Sequence, residues 1–312
     1  MDGYISGADL AKELSVSRNA VWKAVEALRL DGYGISAVTN KGYRLETQGD
    51  LLTAAGIMRY LRDPGFFHAE VRKSVTSTNT VLRELAAKGA PEGYVLAARE
   101  QTAGKGRLGR GFHSPAGHGV YFSLLLRPGS KVKEPALITS AAAVAAARAI
   151  EEVVGVSVSI KWVNDLFVDG RKICGILTEA SFDMESGCIE SAVLGIGINI
   201  TRPEEGYPEE IADVATSLTY RHSGRDNERC RLIAATLDNF REFYQNLSAR
   251  GFLDEYRTRS AILGKEIYVS QHDGEKPARA VEIDDECRLV VKYDSGETAA
   301  LSTGEVSVKW RK

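Results

Sequence analysis

The spacing of apolar residues changes twice along this chain, near residue 47 and near residue 262, and this change limits its fold most. Before residue 47 the spacing predicts two short helices followed by two short strands. Strands and helices alternate from 48 to 261, whereas only short strands are predicted from Ile262 onward. A chain of 312 residues is also longer than one core usually supports. The sequence therefore predicts three domains, at residues 1–47, 48–261 and 262–312.

The first 47 residues predict helix, turn, helix and hairpin, which is the order of a winged helix-turn-helix. Ser6 and Ser17 each stand just ahead of an apolar-periodic run. Their hydroxyl groups are therefore expected to cap two helices, at residues 7–14 and 18–30. The second helix is predicted to turn three residues outward: Arg18, Asn19 and Lys23.

The central region predicts an α+β domain, in which a mixed or mainly antiparallel sheet is backed by helices. Its most regular helix is the alanine-rich run from Glu134 to Val154, which Gly155 ends. Residues 156–162 alternate apolar with polar side chains, so this strand is expected to bury one face. Asp169-Gly170 is a strong hairpin signal between two later strands. Further strands are predicted near residues 69–74, 94–100 and 119–126.

The composition is that of a soluble globular protein, with 44% hydrophobic and 26% charged residues and a formal net charge of -2. No apolar run approaches the ~18 residues that a membrane helix requires, and the N-terminus lacks the segments of a secretory signal. We therefore expect a cytoplasmic protein without a membrane partner. The four cysteines lie far apart, which argues against disulfides and a zinc site. His113 and His118 share a loop without a third ligand nearby, so no protein metal cluster is expected.

A glycine-rich loop, Gly104-Lys105-Gly106-Arg107-Leu108-Gly109-Arg110, is the first sign of chemistry. Its glycines satisfy the dinucleotide fingerprint G-x-G-x-x-G, but that fingerprint must open a helix and meet an acidic residue about 20 positions later. Neither follows here, and the Lys-Ser or Lys-Thr of a P-loop is missing too. Three cations remain beside glycines that let backbone N–H groups approach an anion. A polyphosphate would suit this loop, and a solvated basic surface loop is the alternative.

Lys161 stands on a strand otherwise rich in valine and isoleucine, directly before the polar turn Trp162-Val163-Asn164-Asp165. A lysine in such a place needs an anionic partner if it is buried at all. The alternative is an outward-facing strand lysine, and this segment alone does not decide between the two.

Six segments occur in one order and together resemble the biotin protein ligase family over nearly the whole chain. They are Ser77-Thr78-Asn79, Gln101, the glycine loop, Lys161 to Asp165, Arg171 to Leu177, and Gly195 to Asn199. The C-terminal strands, which predict a small barrel, are similar to the SH3-like β-barrel that closes the chain in this family. The N-terminal module resembles the DNA-binding domain of those members that also act as biotin operon repressors.

The resemblance implies a reaction in two steps. The carboxylate of biotin first attacks the α-phosphate of ATP, which gives biotinyl-5'-AMP and pyrophosphate, and Mg2+ is expected to accompany the ATP. A lysine of the biotin carboxyl carrier domain of a carboxylase then attacks the mixed anhydride, and AMP leaves. Lys161 matches the family's active-site lysine, whose ammonium group stabilises charge on the phosphoryl oxygens. Arg107 matches a residue of the loop that closes over the adenylate and is expected to be catalytic too.

The resemblance also assigns binding roles. Around biotin and its adenylate it places Ser77, Thr78, Asn79, Gln101, Gly104, Lys105, Gly106, Arg107, Lys161, Gly195 and Gly197. Hydroxyl and amide groups among them match the N–H donors and the carbonyl acceptor of the ureido ring. For the nucleotide it implies contacts from Arg110, Lys172, Asn199 and Lys309, with Asp165 as a contact for Mg2+. Helix capping by Ser77 or Thr78, and turn formation by Asp165 and Lys172, are the structural alternatives.

The sequence departs from the family pattern at its start. The family's helix-turn-helix usually opens with another helix, but only five residues precede Ser6 here, too few to build it. This apparently missing helix is expected to leave three residues partly uncovered: Leu10, Leu14 and Val21. Residues 1–47 carry six Lys or Arg and six Asp or Glu, whereas phosphate contacts usually need a positive excess. Operator DNA and a residual interaction module are thus both open as the role of this region.

Two rival functions stay open. One is ligation or transfer of lipoate or octanoate by an enzyme of the same fold, and the other is a transcription factor that senses biotin without catalysis. An octanoyl transferase needs a cysteine nucleophile, for which Cys174 is the candidate, although its apolar hairpin strand favours a core position.

Lys105 and Lys309 stand where the family often has arginine, and lysine cannot make a bidentate phosphate contact. A homodimer is compatible with the sequence.

Overall fold

The computed structural model describes residues 3–30, 33–46, 50–129, 134–183, 187–218, 227–271, 274–302 and 305–308. Within these residues the strands form a two-stranded, a seven-stranded and a five-stranded sheet. No helix of this described part is long and apolar enough to cross a membrane. The predicted α+β class, with a mixed central sheet accompanied by helices, is confirmed.

The N-terminal module has the predicted order of elements. Its helices span Gly7–Glu13 (α1) and Arg18–Leu30 (α2), and a hairpin of strands Ile35–Val38 (β1) and Gly42–Leu45 (β2) follows. The hydroxyl groups of Ser6 and Ser17 accept hydrogen bonds of 3.1 Å from the backbone N–H groups of Asp9 and Ala20. Both helix caps predicted from the sequence are therefore confirmed.

The core of this module lies between its two helices and its hairpin. Val21 is buried and packs with Ala11 and Val25, and partly buried residues of α1 and of the hairpin close around them. The expectation that Val21 is partly uncovered is therefore wrong, because the hairpin side of the module covers it. Leu14, in contrast, is 62% exposed, and Leu10 is partly buried. The three residues predicted to face outward on α2 are exposed: Arg18, Asn19 and Lys23.

The seven-stranded sheet has the strand order β3-β4-β5-β9-β8-β7-β6. Its strands span His68–Arg72 (β3), Tyr94–Ala98 (β4), Gly119–Leu126 (β5), Ser159–Lys161 (β6), Asp165–Val168 (β7), Arg171–Phe182 (β8) and Ile189–Asn199 (β9). The pair β3–β4 is parallel, and the other neighbouring pairs are antiparallel. The predicted turn at Asp169-Gly170 joins β7 to β8, and both of its residues have positive φ, 49° and 77°.

The helices of the central region span Ala54–Tyr60 (α3), Thr78–Ala87 (α4), Pro135–Val154 (α5), Glu209–Ala212 (α6), Glu228–Tyr244 (α7) and Leu253–Thr258 (α8). Helix α5 is the predicted alanine-rich helix, and Gly155 ends it in the left-handed conformation with a φ of 83°. Helix α7 packs against α5. Helix α7 was not predicted from the sequence, although its buried residues recur at helical spacing, among them Ile233, Leu237 and Phe240.

Alternation along the strands divides the central sheet into a helix face and a cavity face. On the helix face, Val120, Phe122 and Leu124 of β5 join the apolar core to which α5 and α7 contribute. Alternate residues of β6 to β9 point the other way and line a cavity, among them Lys161, Phe167, Gly175, Leu177, Gly195, Gly197 and Asn199. Helix α4 packs on this cavity face, so its first residues lie beside the cavity.

The C-terminal strands form one antiparallel sheet with the order β13-β12-β11-β10-β14. They span Glu266–Gln271 (β10), Gly274–Ile283 (β11), Leu289–Tyr293 (β12), Thr298–Leu301 (β13) and Glu305–Val308 (β14). Buried side chains of this sheet belong to the same apolar core as the central sheet. The indole N–H of Trp162 donates a hydrogen bond of 2.9 Å to the carbonyl of Cys287, which ties the residue after Lys161 to this sheet.

The segment that follows the N-terminal module is anchored to the central region. Arg229, near the start of α7, lies 2.6 Å from the carboxylate of Asp50 and also donates to the carbonyl of Gly117 at 2.6 Å. The hydroxyl of Tyr33 donates to that of Thr53 at 2.8 Å, and Thr53 caps α3. The module is therefore connected to the central region by hydrogen bonds as well as by the chain.

An ion cluster around Arg259 holds β6 beside α5 and α8. The guanidinium group of Arg259 makes two contacts of 2.7 Å with Glu151 of α5 and one of 2.8 Å with Glu255 of α8. The backbone carbonyl of Arg259 accepts a hydrogen bond of 2.8 Å from Ile160, the residue before Lys161. The hydrogen bonds from Arg259 hold the pKa of Glu151 below its usual value. The cluster therefore helps to fix the strand that carries Lys161.

We expect Arg259→Met to lower the free energy of unfolding by about 2 kcal/mol near neutral pH, because it leaves Glu151 without its guanidinium partner. A carboxyl group whose folded pKa is lowered contributes stability above its unfolded pKa. That contribution is lost as the pH falls through the folded pKa. The difference between wild type and variant should therefore shrink in acid. Urea denaturation at neutral pH and at a series of acid pH values measures both effects.

The matched control is Arg288→Met, because Arg288 is 42% exposed and pairs at the surface with Asp284 and Glu286. Exposed ion pairs contribute little to stability, so this variant should unfold at nearly the same urea concentration as wild type. Equal losses in the two variants would contradict a special contribution of the Arg259 cluster.

Candidate active site

A cavity of about 480 Å³ lies on the cavity face of the central sheet. The start of α4, the glycine loop, the turn between β6 and β7, and strands β8 and β9 supply most of its walls. The residues predicted from the sequence that line it are Ser77, Thr78, Asn79, Gln101, Lys105, Gly106, Arg107, Arg110, Lys161, Asp165, Lys172, Gly195, Gly197 and Asn199. Gly104 is not among the lining residues, and Lys309 lies outside the described residues.

One end of the cavity is a network of hydroxyl and amide groups at the start of α4. Ser77 caps this helix, as its sequence position predicts, by accepting a hydrogen bond from the N–H of Thr80. The N–H and the hydroxyl of Thr78 both donate to Oε1 of Gln101, at 2.8 and 3.1 Å. Nε2 of Gln101 donates to the hydroxyl of Ser114 at 2.8 Å. These partners fix the orientation of the Gln101 amide.

Gly195 and Gly197 leave gaps on the cavity face of β9 that other side chains enter. A Cβ atom on Gly195 would lie 2.1 Å from Oδ1 of Asn79, and one on Gly197 would lie 2.4 Å from the ring of Phe112. Gly175, the partner of Gly197 on β8, also faces the Phe112 ring. The glycines therefore admit Asn79 and Phe112, which form the floor of the cavity.

The glycine loop is closed by backbone pairing between its two arms. Lys105 pairs with Gly111, and the N–H of Phe112 donates to the carbonyl of Gly104 at 2.8 Å. A Cβ atom on Gly104 would lie 2.3 Å from the carbonyl oxygen of Phe112, so only glycine fits this crossing without a shift. Glycine at position 104 is therefore required by the close backbone packing inside the loop, whereas the charged side chains of the loop line the cavity.

Asn164 connects the glycine loop to the turn that follows Lys161. Nη1 of Arg107 donates to Oδ1 of Asn164 at 3.0 Å, and Nδ2 of Asn164 donates to the carbonyl of Ile176 at 2.9 Å. The orientation of the Asn164 amide is thus set by β8, and its oxygen is left to receive the guanidinium group. This contact brings Arg107 to the same wall of the cavity as Lys161.

The charges in the cavity favour an anionic ligand. Its lining contains five Lys or Arg residues, Lys105, Arg107, Arg110, Lys161 and Lys172, against three carboxylates, Asp165, Glu210 and Glu275. Lys161 stands on the cavity face at the end of β6, with Nζ 5.9 Å from the centre of the Phe167 ring. Because β6 is part of the sheet, Lys161 is placed more rigidly than the loop cations.

Asp165 of β7 and Lys172 of β8 form an ion pair, with Nζ of the lysine 2.7 Å from Oδ1 of the aspartate, although their direct partners across the two strands are Gly175 and Phe167. Lys172 thus stands just after the Asp169-Gly170 turn and also lines the cavity. Nowhere in the described residues do three or more His, Cys, Asp or Glu side chains form a group that could hold a metal ion. Asp165 therefore belongs to no such group in the described residues, and the ammonium group of Lys172 lies beside it.

Cys174 lies on the helix face of β8, within the apolar core. Burial raises the pKa of its thiol far above the usual value, although the charge of Lys172 opposes this. A thiol that stays protonated and does not face the cavity is poorly suited to act as a nucleophile. The core position that its sequence context favours is confirmed.

Several lining or supporting residues were not singled out from the sequence: Phe112, Ser114, Ser123, Asn164, Tyr207 and Glu275. Asn164 could have been identified from the sequence, because it belongs to the polar turn after Lys161. The others carry no local pattern, and they reach the cavity because the sheet and the loops bring distant segments together. The C-terminal sheet also contributes to the lining through Ser270 and Val306.

Comparisons with known proteins agree with this arrangement. Residues 71–199 match the model of the Biotin/lipoate A/B protein ligase family, residues 2–44 that of an HTH domain, and residues 262–309 that of the Biotin protein ligase C terminal domain. The bifunctional ligase/repressor BirA of Bacillus subtilis is 35% identical over 297 residues, which cover 94% of this chain and 90% of that protein. The protein of the same name from Escherichia coli is 27% identical over 311 residues, which cover 98% of this chain and 93% of that protein.

Among solved structures, the biotin protein ligase from Aquifex aeolicus in complex with biotin and ATP superposes with a TM-score of 0.64. It is 26% identical, and the match covers 78% of this chain and 98% of that one. The match in sequence extends through all three regions of the chain, and the match in structure covers more than three quarters of it. This chain belongs to the biotin protein ligase family.

Proposed function

We propose that this chain is a biotin protein ligase, which forms biotinyl-5'-AMP from biotin and ATP and transfers the biotinyl group to a lysine of a carboxylase carrier domain. The observation that carries this proposal is that a single cavity is lined by a hydroxyl and amide network, by the cations of the glycine loop, and by Lys161. The relatives named ligases, and the solved relative that holds biotin and ATP, support it.

The two ends of the cavity suit the two ends of the adenylate. Thr78, Asn79 and Gln101 present hydroxyl and amide groups, which match the ureido ring of biotin. Lys161 and the loop cations stand where negative charge would collect when the biotin carboxylate attacks the α-phosphate. A positively charged group held in place before the reaction stabilises that charge more than it stabilises either substrate. We assign this role to Lys161, with Arg107 held by Asn164 as its companion.

The second step needs no covalent intermediate on the protein. The adenylate already carries an activated acyl group, so the amine of the acceptor lysine attacks its carbonyl carbon, the bond to the phosphate oxygen breaks, and AMP leaves. Mg2+ is expected to enter with ATP, and we assign Asp165, a carboxylate of the cavity wall, as its contact. We propose further that the five-stranded C-terminal sheet has the SH3-like architecture of the family, which the match of residues 262–309 supports.

The chain also acts as a biotin-responsive transcriptional repressor in this proposal. Its N-terminal helix-turn-helix and the bifunctional relatives support this role. Helix α2 exposes Arg18, Asn19 and Lys23, the residues expected to contact DNA. A helix-turn-helix repressor usually reads a palindromic operator as a dimer, so we propose a homodimer on operator DNA.

The lipoate and octanoate alternative has less support. An octanoyl transferase requires a cysteine nucleophile at the cavity, and Cys174 faces the core instead. A lipoyl or octanoyl chain also offers no N–H donors to the amide groups at the start of α4. Lys161 and Arg107 likewise argue against a protein that senses biotin without catalysis, because a sensor does not need to stabilise charge that arises only in the transition state.

We expect Lys161→Ala to reduce biotin-dependent exchange between ATP and pyrophosphate by about 100-fold or more, because the fixed ammonium group is lost. Lys88→Ala, at an exposed position after α4, is the matched control and should retain full exchange. Exchange supported by lipoate or octanoate but not by biotin would overturn the proposed function.

We expect the glycine loop to become ordered over the adenylate, because its cations gain an anionic partner. Trypsin cleavage after Lys105, Arg107 and Arg110 should therefore slow when biotin and ATP are added together. Mass spectrometry of the fragments over time measures each site. Cleavage at the same rate with and without the substrates would contradict this role for the loop.

We expect Arg18→Ala and Lys23→Ala each to weaken binding to the operator and to reduce its salt dependence by about one unit in the slope of log K against log salt. Biotin transfer to a carrier domain should be unchanged in both variants, because these residues lie on the N-terminal module. Fluorescence anisotropy at several salt concentrations measures the slope. Wild-type affinity in both variants would exclude α2 as the DNA-reading helix.

A further inference from the structure

Asn79 is held by three hydrogen bonds inside the protein, although it lines the cavity and is 3% exposed. Its Nδ2 donates to the carbonyl of Leu177 at 3.2 Å and to the carboxylate of Glu179 at 2.9 Å. Its Oδ1 accepts a hydrogen bond of 2.6 Å from the hydroxyl of Ser123. A carbonyl and a carboxylate can only accept, so these two partners determine which end of the amide is the nitrogen.

This arrangement limits what Asn79 can offer to a ligand. Both N–H groups of its amide are engaged by β8, and one lone pair of Oδ1 is engaged by Ser123. The second lone pair of Oδ1 remains, so Asn79 can accept a hydrogen bond from a ligand and has no donor to give. Gly195 leaves the space in which this oxygen lies. Asn79 is therefore a preset acceptor.

Glu179 is the partner that can be changed without touching the cavity. It stands on β8 two residues after Leu177 and is not among the lining residues. Its side chain is 25% exposed, and its other oxygen lies 3.4 Å from Arg83 of α4, which is 52% exposed. A hydrogen bond to a charged acceptor is stronger than one between neutral groups. The Asn79 nitrogen is therefore held more strongly by the Glu179 carboxylate than by the Leu177 carbonyl.

We propose that Glu179 is a positioning residue, which fixes Asn79 as a hydrogen-bond acceptor and thereby selects a head group with an N–H donor at this point. The inference rests on the proposed function, in which that donor is a ureido N–H of biotin. A head group without the donor would leave the buried oxygen of Asn79 with Ser123 as its only partner, and sites built for a polar ligand group reject analogues that lack it. Loss of Glu179 leaves the Asn79 nitrogen with only the Leu177 carbonyl as its partner, so the amide is held less firmly and the selection weakens.

The first test compares Glu179→Ala and Glu179→Gln with wild type in biotin-dependent exchange between ATP and pyrophosphate. We expect the alanine variant to raise the KM for biotin about tenfold, because a hydrogen bond to a charged group is lost, while kcat and the KM for ATP change by less than about twofold. The glutamine variant retains an acceptor oxygen and should restore most of the affinity. Glu179→Met, which keeps the bulk without the acceptor, replaces the alanine variant if that protein is unstable.

The second test measures selection itself, with biotin and its two analogues methylated on one ureido nitrogen. The selection ratio is kcat/KM for biotin divided by kcat/KM for one analogue, namely the analogue that wild type uses less well. We expect this ratio to fall about tenfold in Glu179→Ala. Arg83→Gln is the matched control, because it removes the other partner of Glu179 and leaves Asn79 untouched. Its ratio should equal that of wild type.

The outcomes separate this inference from the proposed function. Wild-type protein without biotin-dependent exchange would overturn the function. Active wild type, together with an alanine variant whose biotin KM and selection ratio are unchanged, would overturn the role of Glu179 alone. A lower kcat with an unchanged ratio would show that Glu179 only supports the fold, which would also overturn the proposal.

Discussion

The bare cavity face of strands β8 and β9 is the constraint on which the site depends. Gly195 and Gly197 carry no side chains there, so Asn79 and Phe112 can lie directly against the sheet. Side chains at these glycines would collide with both residues and displace the start of α4 and the segment that follows the glycine loop. The same strands bury their alternate residues against α5, which prevents the sheet from shifting to relieve such a collision.

The second constraint is that the cations around the cavity are held by other parts of the protein. Asn164 receives Arg107 and is itself fixed by β8, whereas Lys172 pairs with Asp165 across the β7–β8 hairpin. Lys161 is placed by its strand, which the Arg259 cluster and the indole of Trp162 attach to α5 and to the C-terminal sheet. Groups arranged in advance need little reorganisation when charge develops on a bound phosphate.

Sequence reasoning was successful where the signal is local. The caps at Ser6 and Ser17, the end of α5 at Gly155 and the turn at Asp169-Gly170 depend on residues a few positions apart, and the structure confirms each. It was less successful where burial depends on a distant segment. Val21 is covered by the hairpin of the N-terminal module, contrary to expectation, and Phe112 and Glu179 acquire their places from strands far away in the chain.

The sequence by itself determined the family, the order of the three regions and 14 of the residues that line the cavity, because motifs and periodicity are properties of neighbouring residues. The tertiary structure decided how those residues are used. It showed that Gly195 makes room for Asn79, that Arg107 reaches Asn164, and that Cys174 faces the core. These facts depend on strand pairing and on contacts between distant residues, such as Asn79 and Glu179, which are 100 positions apart and which no local pattern connects.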